Sequence, residues 1–180
     1  MLSVSQGLQN RLNTPTITGM NVDRILRALN RNKVAYMLIG GVNYLLRHQP
    51  VLTYDVDVWI EDTEKNLRHC EEALSQLKAE WGSSDNDWIP VAKRGSGWLK
   101  RQTVFCMTSP AGAIDVFRQV KGLNDWRSCF ERSVRGKTGG IPFHGLSDKD
   151  MLKCQKALNI SERKQDRIRT LNRAIRRKQA

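Results

Sequence analysis

Apolar residues recur along this chain with two distinct periods. Over 21–32, NVDRILRALNRN, Ile25, Leu26 and Leu29 fall on one helical face, behind Asn21, whose side chain can cap a first turn. KVAYMLIG (33–40) is a short apolar run that reads as a strand ending at Gly40-Gly41, and VNYLLRHQ (42–49) then fits a brief helix closed by Pro50. YDVDVWI (54–60) alternates as a strand does. Asp62 is the expected cap of the longest helix, in which Leu67, Cys70, Ala73, Leu74 and Leu77 recur at helical spacing. Residues 82–87 are polar and loop-like, and KRGSGWLKRQ (93–102) is a basic, glycine-rich turn. TVFCM (103–107) and AIDVF (113–117) read as strands joined tightly enough through Ser109-Pro110 to pair antiparallel. Trp126, Phe130 and Val134 stand at i, i+4 and i+8 and predict a helix over 123–134. Ser147-x-x-Asp150 has the form of a capping box for a helix running to about Asn159, with a second helix from Ser161. Strands mixed with helices and followed by a helical pair predict an α/β (α+β) fold, a mixed β-sheet flanked by helices. The expected organisation is an N-terminal extension over 1–20, a core over 21–145 and C-terminal helices with a basic tail over 146–180.

With 180 residues, 39% of them hydrophobic and five of them tryptophan, the chain can build the core of one domain. It has no apolar stretch long enough to span a bilayer, so no membrane partner is expected. The first residues show no basic segment followed by an apolar one, which points to the cytoplasm. Cysteines at 70, 106, 129 and 154 are widely spaced, without a Cys-x-x-Cys or zinc-type pairing, and read as reduced thiols. Charge changes the picture more. Thirty basic against eighteen acidic residues give +12, which favours a polyanionic partner. Residues 161–180 hold eight basic and two acidic residues, half of that net charge, and form either a solvated helix face or a nucleic-acid contact through Arg173, Arg176 and Arg177. The 93–102 turn offers Lys93, Arg94, Lys100 and Arg101 to phosphates and Trp98 to a stacked base.

The candidate chemistry lies in IGGVNYLLRHQPVLTYDVDVWIE (39–61). Side chains alternate along a strand, so Asp55 and Asp57 share a face about 6.5 to 7 Å apart, while Val56 and Val58 face the core. Two carboxylates on one face repel, and burial makes that worse, so a divalent cation is the economical partner. Asp115, flanked by apolar residues in AIDVF, supplies a third carboxylate from another strand. Solvent-facing aspartates on a half-exposed strand would produce the same Asp-x-Asp. Gly40-Gly41 lies between a strand and a helix, where the backbone can approach a ligand and the helix N-terminus can present N–H groups to phosphate; a simple tight turn is the alternative.

These residues resemble the pattern of the nucleotidyltransferase superfamily, with its DNA polymerase beta-like fold: a hydrophobic strand with Gly-Gly, a short helix, then carboxylate-hydrophobic-carboxylate-hydrophobic. Leu38-Ile39-Gly40-Gly41 and Asp55-Val56-Asp57-Val58 carry it, with Asp115 as the later carboxylate, and SDKDMLKCQKALNISERKQDRIRTL resembles the helical segment of compact bacterial members related to abortive-infection and toxin-antitoxin nucleotidyltransferases. The resemblance spans roughly residues 21–172. It implies that Asp55, Asp57 and Asp115 hold Mg²⁺, two ions, with Asp115 also helping to deprotonate the acceptor. It implies that Gly40, Gly41, Arg47, Thr53, Lys156 and Asp166 bind the nucleoside triphosphate, ATP among the candidates. Val51 stands where the family often has Arg, and Arg47 on the preceding helix is the expected substitute. The leading expectation is an enzyme transferring a nucleoside monophosphate from NTP to an acceptor hydroxyl, on RNA and tRNA in particular given the charge, in a toxin-antitoxin or phage-defence setting with an antitoxin-like protein partner. The alternative, carried by Val51, is a catalytically inactive nucleic-acid-binding or regulatory module on the same fold. A phosphate-ester hydrolase is a third and weaker reading, because no histidine cluster accompanies the aspartates.

Overall fold

A computed structural model describes residues 19–84 and 86–179. Most of the expected N-terminal extension, residues 1–18, lies outside them. The helices are α1 (Val22–Arg31), α2 (Gly40–Arg47), α3 (Glu64–Gln76), α4 (Trp126–Glu131), α5 (Asp148–Ala157) and α6 (Gln165–Arg177). The strands are β1 (Tyr36–Leu38), β2 (Asp55–Ile60), β3 (Glu80–Trp81), β4 (Ile89–Pro90), β5 (Val104–Met107), β6 (Ala113–Phe117), β7 (Val134–Thr138) and β8 (Ile141–Gly145). Six strands form one mixed sheet in the order β5-β6-β2-β1-β8-β7, and β3 and β4 make a separate two-stranded ribbon. Within the large sheet β2 runs parallel to β6 and β1 parallel to β8, while the other neighbours are antiparallel. Among the described residues no helix is long and apolar enough to cross a membrane.

Side-chain alternation divides the sheet into two faces, and different helices cover each. Tyr36, Leu38, Val56, Val58, Ile60, Phe105, Met107, Ile114 and Val116 point to one side, where Ile25, Leu26 and Leu29 of α1 and Leu67, Cys70, Ala73 and Leu74 of α3 complete the main core. Met37, Ile39 and Trp59 point to the other, against Tyr44 of α2, Cys129 of α4, Met151 and Leu152 of α5 and Leu171 of α6. This second layer leaves Asp55, Asp57 and Asp115 only half-buried. Asp148, at the start of α5, ties its elements together by accepting from Arg47, His48 and Lys178.

Several local expectations change in the folded chain. Asn21 caps α1 by accepting from the Arg24 N–H, as its position predicts. Thr63, rather than Asp62, caps α3, because Asp62 is engaged by the Arg118 guanidinium. The helix expected over 123–134 stops at Glu131, and Val134 begins β7. The β7–β8 hairpin turns on Gly139 and Gly140, both at positive φ (52° and 77°), as a type I′ two-residue turn demands of both residues. Ser147 accepts from the Asp150 N–H, but the Asp150 carboxylate closes no box and pairs instead with Arg132. The final helix begins at Gln165, after a short helical turn over Ile160–Glu162.

Candidate active site

The parallel register of β2 and β6 sets Asp57 beside Asp115 and places Asp55 two pairs away, opposite Ala113. Period-two alternation then turns all three carboxylates to the same face, where one oxygen from each lies within 4.8 Å of the others. Antiparallel β5 brings Cys106 opposite Asp115, and its thiol donates to the Asp115 carboxylate at 3.4 Å. Thr53 donates to the Asp55 carboxylate at 3.3 Å from the loop before β2.

Crowded carboxylates show up as proton affinity. Burial, then Asp55, then Asp115 push the Asp57 carboxyl up to about 7, against the opposing pull of the Gly41 N–H and of Arg167. Burial raises Asp115 as well, opposed by the Cys106 thiol and reinforced by Asp55. Three hard oxygen donors at this spacing, with too little positive charge beside them, suit a hard divalent cation.

The glycine pair has a steric reason. Gly40 opens α2 at a φ of +62°, and a Cβ there would meet the Asp57 carboxylate oxygen at 1.8 Å. A Cβ on Gly41 would meet the Thr53 hydroxyl at 2.4 Å. Absence of both side chains therefore lets the first turn of α2, which has no side-chain cap, close against β2, with the Gly41 N–H turned to the Asp57 carboxylate.

No family model and no curated protein matches the chain by sequence. Solved structures do match by shape. The lincosamide antibiotic adenylyltransferase LnuA, solved with lincomycin bound, superposes with a TM-score of 0.58 at 13% identity, over 86% of this chain and 98% of that one. An antigenic nucleotidyltransferase-like protein from Paracoccidioides brasiliensis gives 0.47 at 19% identity, over 86% of this chain and 76% of the other. The chain has the nucleotidyltransferase fold.

On this nucleotidyltransferase fold the remaining sequence candidates scatter. Arg47 does not substitute for an arginine ahead of the carboxylates: its guanidinium donates to the Leu146 carbonyl and, at 2.6 Å, to Asp148. Lys156 is exposed on α5, and Asp166 is exposed and paired with Arg169. Trp98 is no stacking platform. It is 2% exposed, packed against Trp81 and Phe105 on the α3 side of the sheet, because the 93–102 turn is pinned by Glu71 accepting from the Gly97 and Leu99 N–H groups. Arg94 lies over the Trp81 ring and donates to the Trp81 and Asp87 carbonyls, and Lys100 pairs with Glu64. Lys93 and Arg101 are exposed, as are Arg173, Arg176 and Arg177.

Two residues at the site escaped the sequence reading. Cys106 is visible only once strand pairing is known. Arg167 had a signal: with Leu171 and Ile175 it stands at i, i+4 and i+8, on the apolar stripe of α6, yet it counts among the basic tail.

Proposed function

We propose that this chain is a Mg²⁺-dependent nucleotidyltransferase that moves a nucleoside monophosphate from an NTP to an acceptor hydroxyl. The convergence of Asp55, Asp57 and Asp115 within 4.8 Å, beside the open first turn of α2, carries this reading. The acceptor oxygen forms a bond to the α-phosphorus, the α–β phosphoanhydride bond breaks, pyrophosphate leaves, and the hydroxyl proton passes to a carboxylate. Asp115 is the candidate base, since burial lifts its proton affinity while leaving it half-exposed. Bound Mg²⁺ would neutralise phosphate charge and hold the reacting groups in line. Asp55, Asp57 and Asp115 would hold the ions, and the Gly40-Gly41 turn would orient phosphate oxygens.

RNA is the acceptor favoured by the net charge of +12 and by the exposed Arg173, Arg176 and Arg177. A small-molecule acceptor is the second reading, favoured by a cavity of about 850 Å³ lined in part by Trp59, Phe117, Lys121 and Trp126. Trp59 and Phe117 each follow a site aspartate by two residues, so this cavity continues the same sheet face. The LnuA neighbour was solved with a small molecule bound, which fits that second reading.

One labelling experiment tests these readings. The protein is incubated with labelled NTPs, Mg²⁺ and total RNA, and in parallel with a small-molecule hydroxyl library. Label that stays with RNA through a denaturing gel supports the first reading, and label on a small molecule the second. No transfer to any acceptor, or transfer undiminished in Asp57→Asn, would sink the proposal. A toxin role predicts growth arrest on expression of the parent and none with Asp57→Asn.

A further inference from the structure

Arg167 is a permanent cation placed where a folded domain rarely puts one. It is 9% exposed, and among the described residues it forms no ion pair or side-chain hydrogen bond. Its Nε is buried without a partner, and so is the hydroxyl of Tyr44, whose ring centre lies 4.8 Å from the guanidinium carbon. Tyr44 belongs to α2, one turn beyond Gly40, where that helix abuts Asp57. The Arg167 charge is felt at Asp57, where it opposes the upward push on that carboxyl. Yet Arg167 is not within ion-pair distance of any site carboxylate, so it does not neutralise the aspartates by contact.

A buried guanidinium with donors to spare, beside a buried unpaired hydroxyl and an open helix N-terminus, is a half-built anion site. We propose that Arg167 of α6, seated over the Tyr44 ring, binds the pyrophosphate portion of the nucleotide, its terminal guanidinium N–H groups donating to β- and γ-phosphate oxygens. This rests on the nucleotidyltransferase reading. If the α-phosphate lies at Asp55, Asp57 and Asp115, a cation set back from those carboxylates falls to the next phosphates along. Arg167 is then the residue that distinguishes a triphosphate from a monophosphate, and it couples the docking of α6 to nucleotide binding.

The test is calorimetric binding to the full chain, with Ca²⁺ replacing Mg²⁺ to suppress turnover, using NTP, NMP and inorganic tripolyphosphate as probes. In Arg167→Met the dissociation constants for NTP and tripolyphosphate should rise at least tenfold, with that for NMP within twofold of the parent. Arg167→Lys keeps charge and stem but loses the fork, and should fall between the two; it carries the comparison if the methionine variant does not fold. Equal losses for NTP and NMP, or no loss, would overturn the proposal and reduce Arg167 to a packing partner of Tyr44, leaving the nucleotidyltransferase reading standing. Arginine-dependent binding of tripolyphosphate without NTP binding would overturn that reading and leave the anion site. A parent protein that binds none of the three overturns both.

Discussion

Asp57 is held between two other carboxylates in a partly dry site, and its protonation should be measurable as stability. Folding raises its pKa to about 7 from an ordinary value near 4, so the folded state takes up the proton more readily than the unfolded chain. The associated stability is fully present below about pH 4 and is lost as pH rises towards 7. Asp148 and Asp150 shift downward, so their losses fall at lower pH, and His144, also shifted down, works in the opposite direction through its own range. In EDTA, Asp57→Asn should therefore lose less thermal stability than the parent between pH 5 and pH 8, and at pH 8 should melt at the same temperature or higher. Added Mg²⁺ should raise the parent's melting temperature at pH 8 more than the variant's. Nucleotidyl transfer by the variant should drop by about a thousandfold or more, equivalent to about 4 kcal/mol of transition-state stabilisation. An asparagine variant that melts far below the parent yet still transfers nucleotide would make Asp57 structural. Gly40 makes a complementary case: alanine there must tolerate a φ of +62° and displace the Asp57 carboxylate, so Gly40→Ala should destabilise by about 1–3 kcal/mol in chemical denaturation. It should weaken Mg²⁺ binding too, whereas alanine at Gly95, where an added Cβ meets open space, should do neither.

At the scale of elements, α6 has two faces with separate tasks. Leu171, Ile168 and Ile175 seal the layer beneath which Trp59 lies, while Arg173, Arg176 and Arg177 face solvent. Deleting the tail would therefore remove core together with charge, and substitution separates the two. Changing Arg173, Arg176 and Arg177 to Gln should leave the melting temperature within a few degrees of the parent's. It should flatten the dependence of log K on log salt for RNA by up to about 2 for single strands, at about 0.7 for each phosphate that is no longer neutralised. An unchanged slope would mean that this face of α6 is merely solvated. Leu171→Ala is the converse and should cost about 2–5 kcal/mol of stability, since that side chain is fully buried.

Across the whole molecule, charge and chemistry are divided between the two faces of the sheet. The 93–102 turn commits its tryptophan and one arginine to the core and pairs Lys100 with Glu64, so Lys93 and Arg101, the cations of the turn without a partner among the described residues, are a weaker nucleic-acid surface than its composition suggests. The carboxylates occupy the opposite face with α6 beside them. Of the α6 cations, Arg167 is the one whose charge is felt at Asp57, whereas Arg173, Arg176 and Arg177 lie on that helix's solvent face.

Much of this architecture was legible in the sequence, because its signals are local. Strand alternation alone puts Asp55 and Asp57 on one face, the apolar period of α1 and α3 identifies the main core, and Gly40-Gly41 marks the point where α2 starts. Where local signals compete, the chain went its own way. Trp126, Phe130 and Val134 keep helical spacing, but pairing of Val134 with Gly145 and the Gly139-Gly140 turn draw the last of them into a strand. Register, burial and charge pairing depend on residues distant in sequence. Only the alignment of β2 with β6 brings Asp115 beside Asp57, and only the pairing of β5 with β6 adds Cys106. Arg47 is the substitute for Val51 that the family resemblance suggests, but Asp148, 101 residues away, holds its guanidinium. Arg167 looked like one more charge in a basic tail until the fold buried it over Tyr44. The sequence by itself determined the fold class and the residues able to bind a metal. Tertiary structure decided which cations stand near them, because a side chain's proximity and dielectric surroundings are set by packing between elements that carry no mark of one another in the linear chain.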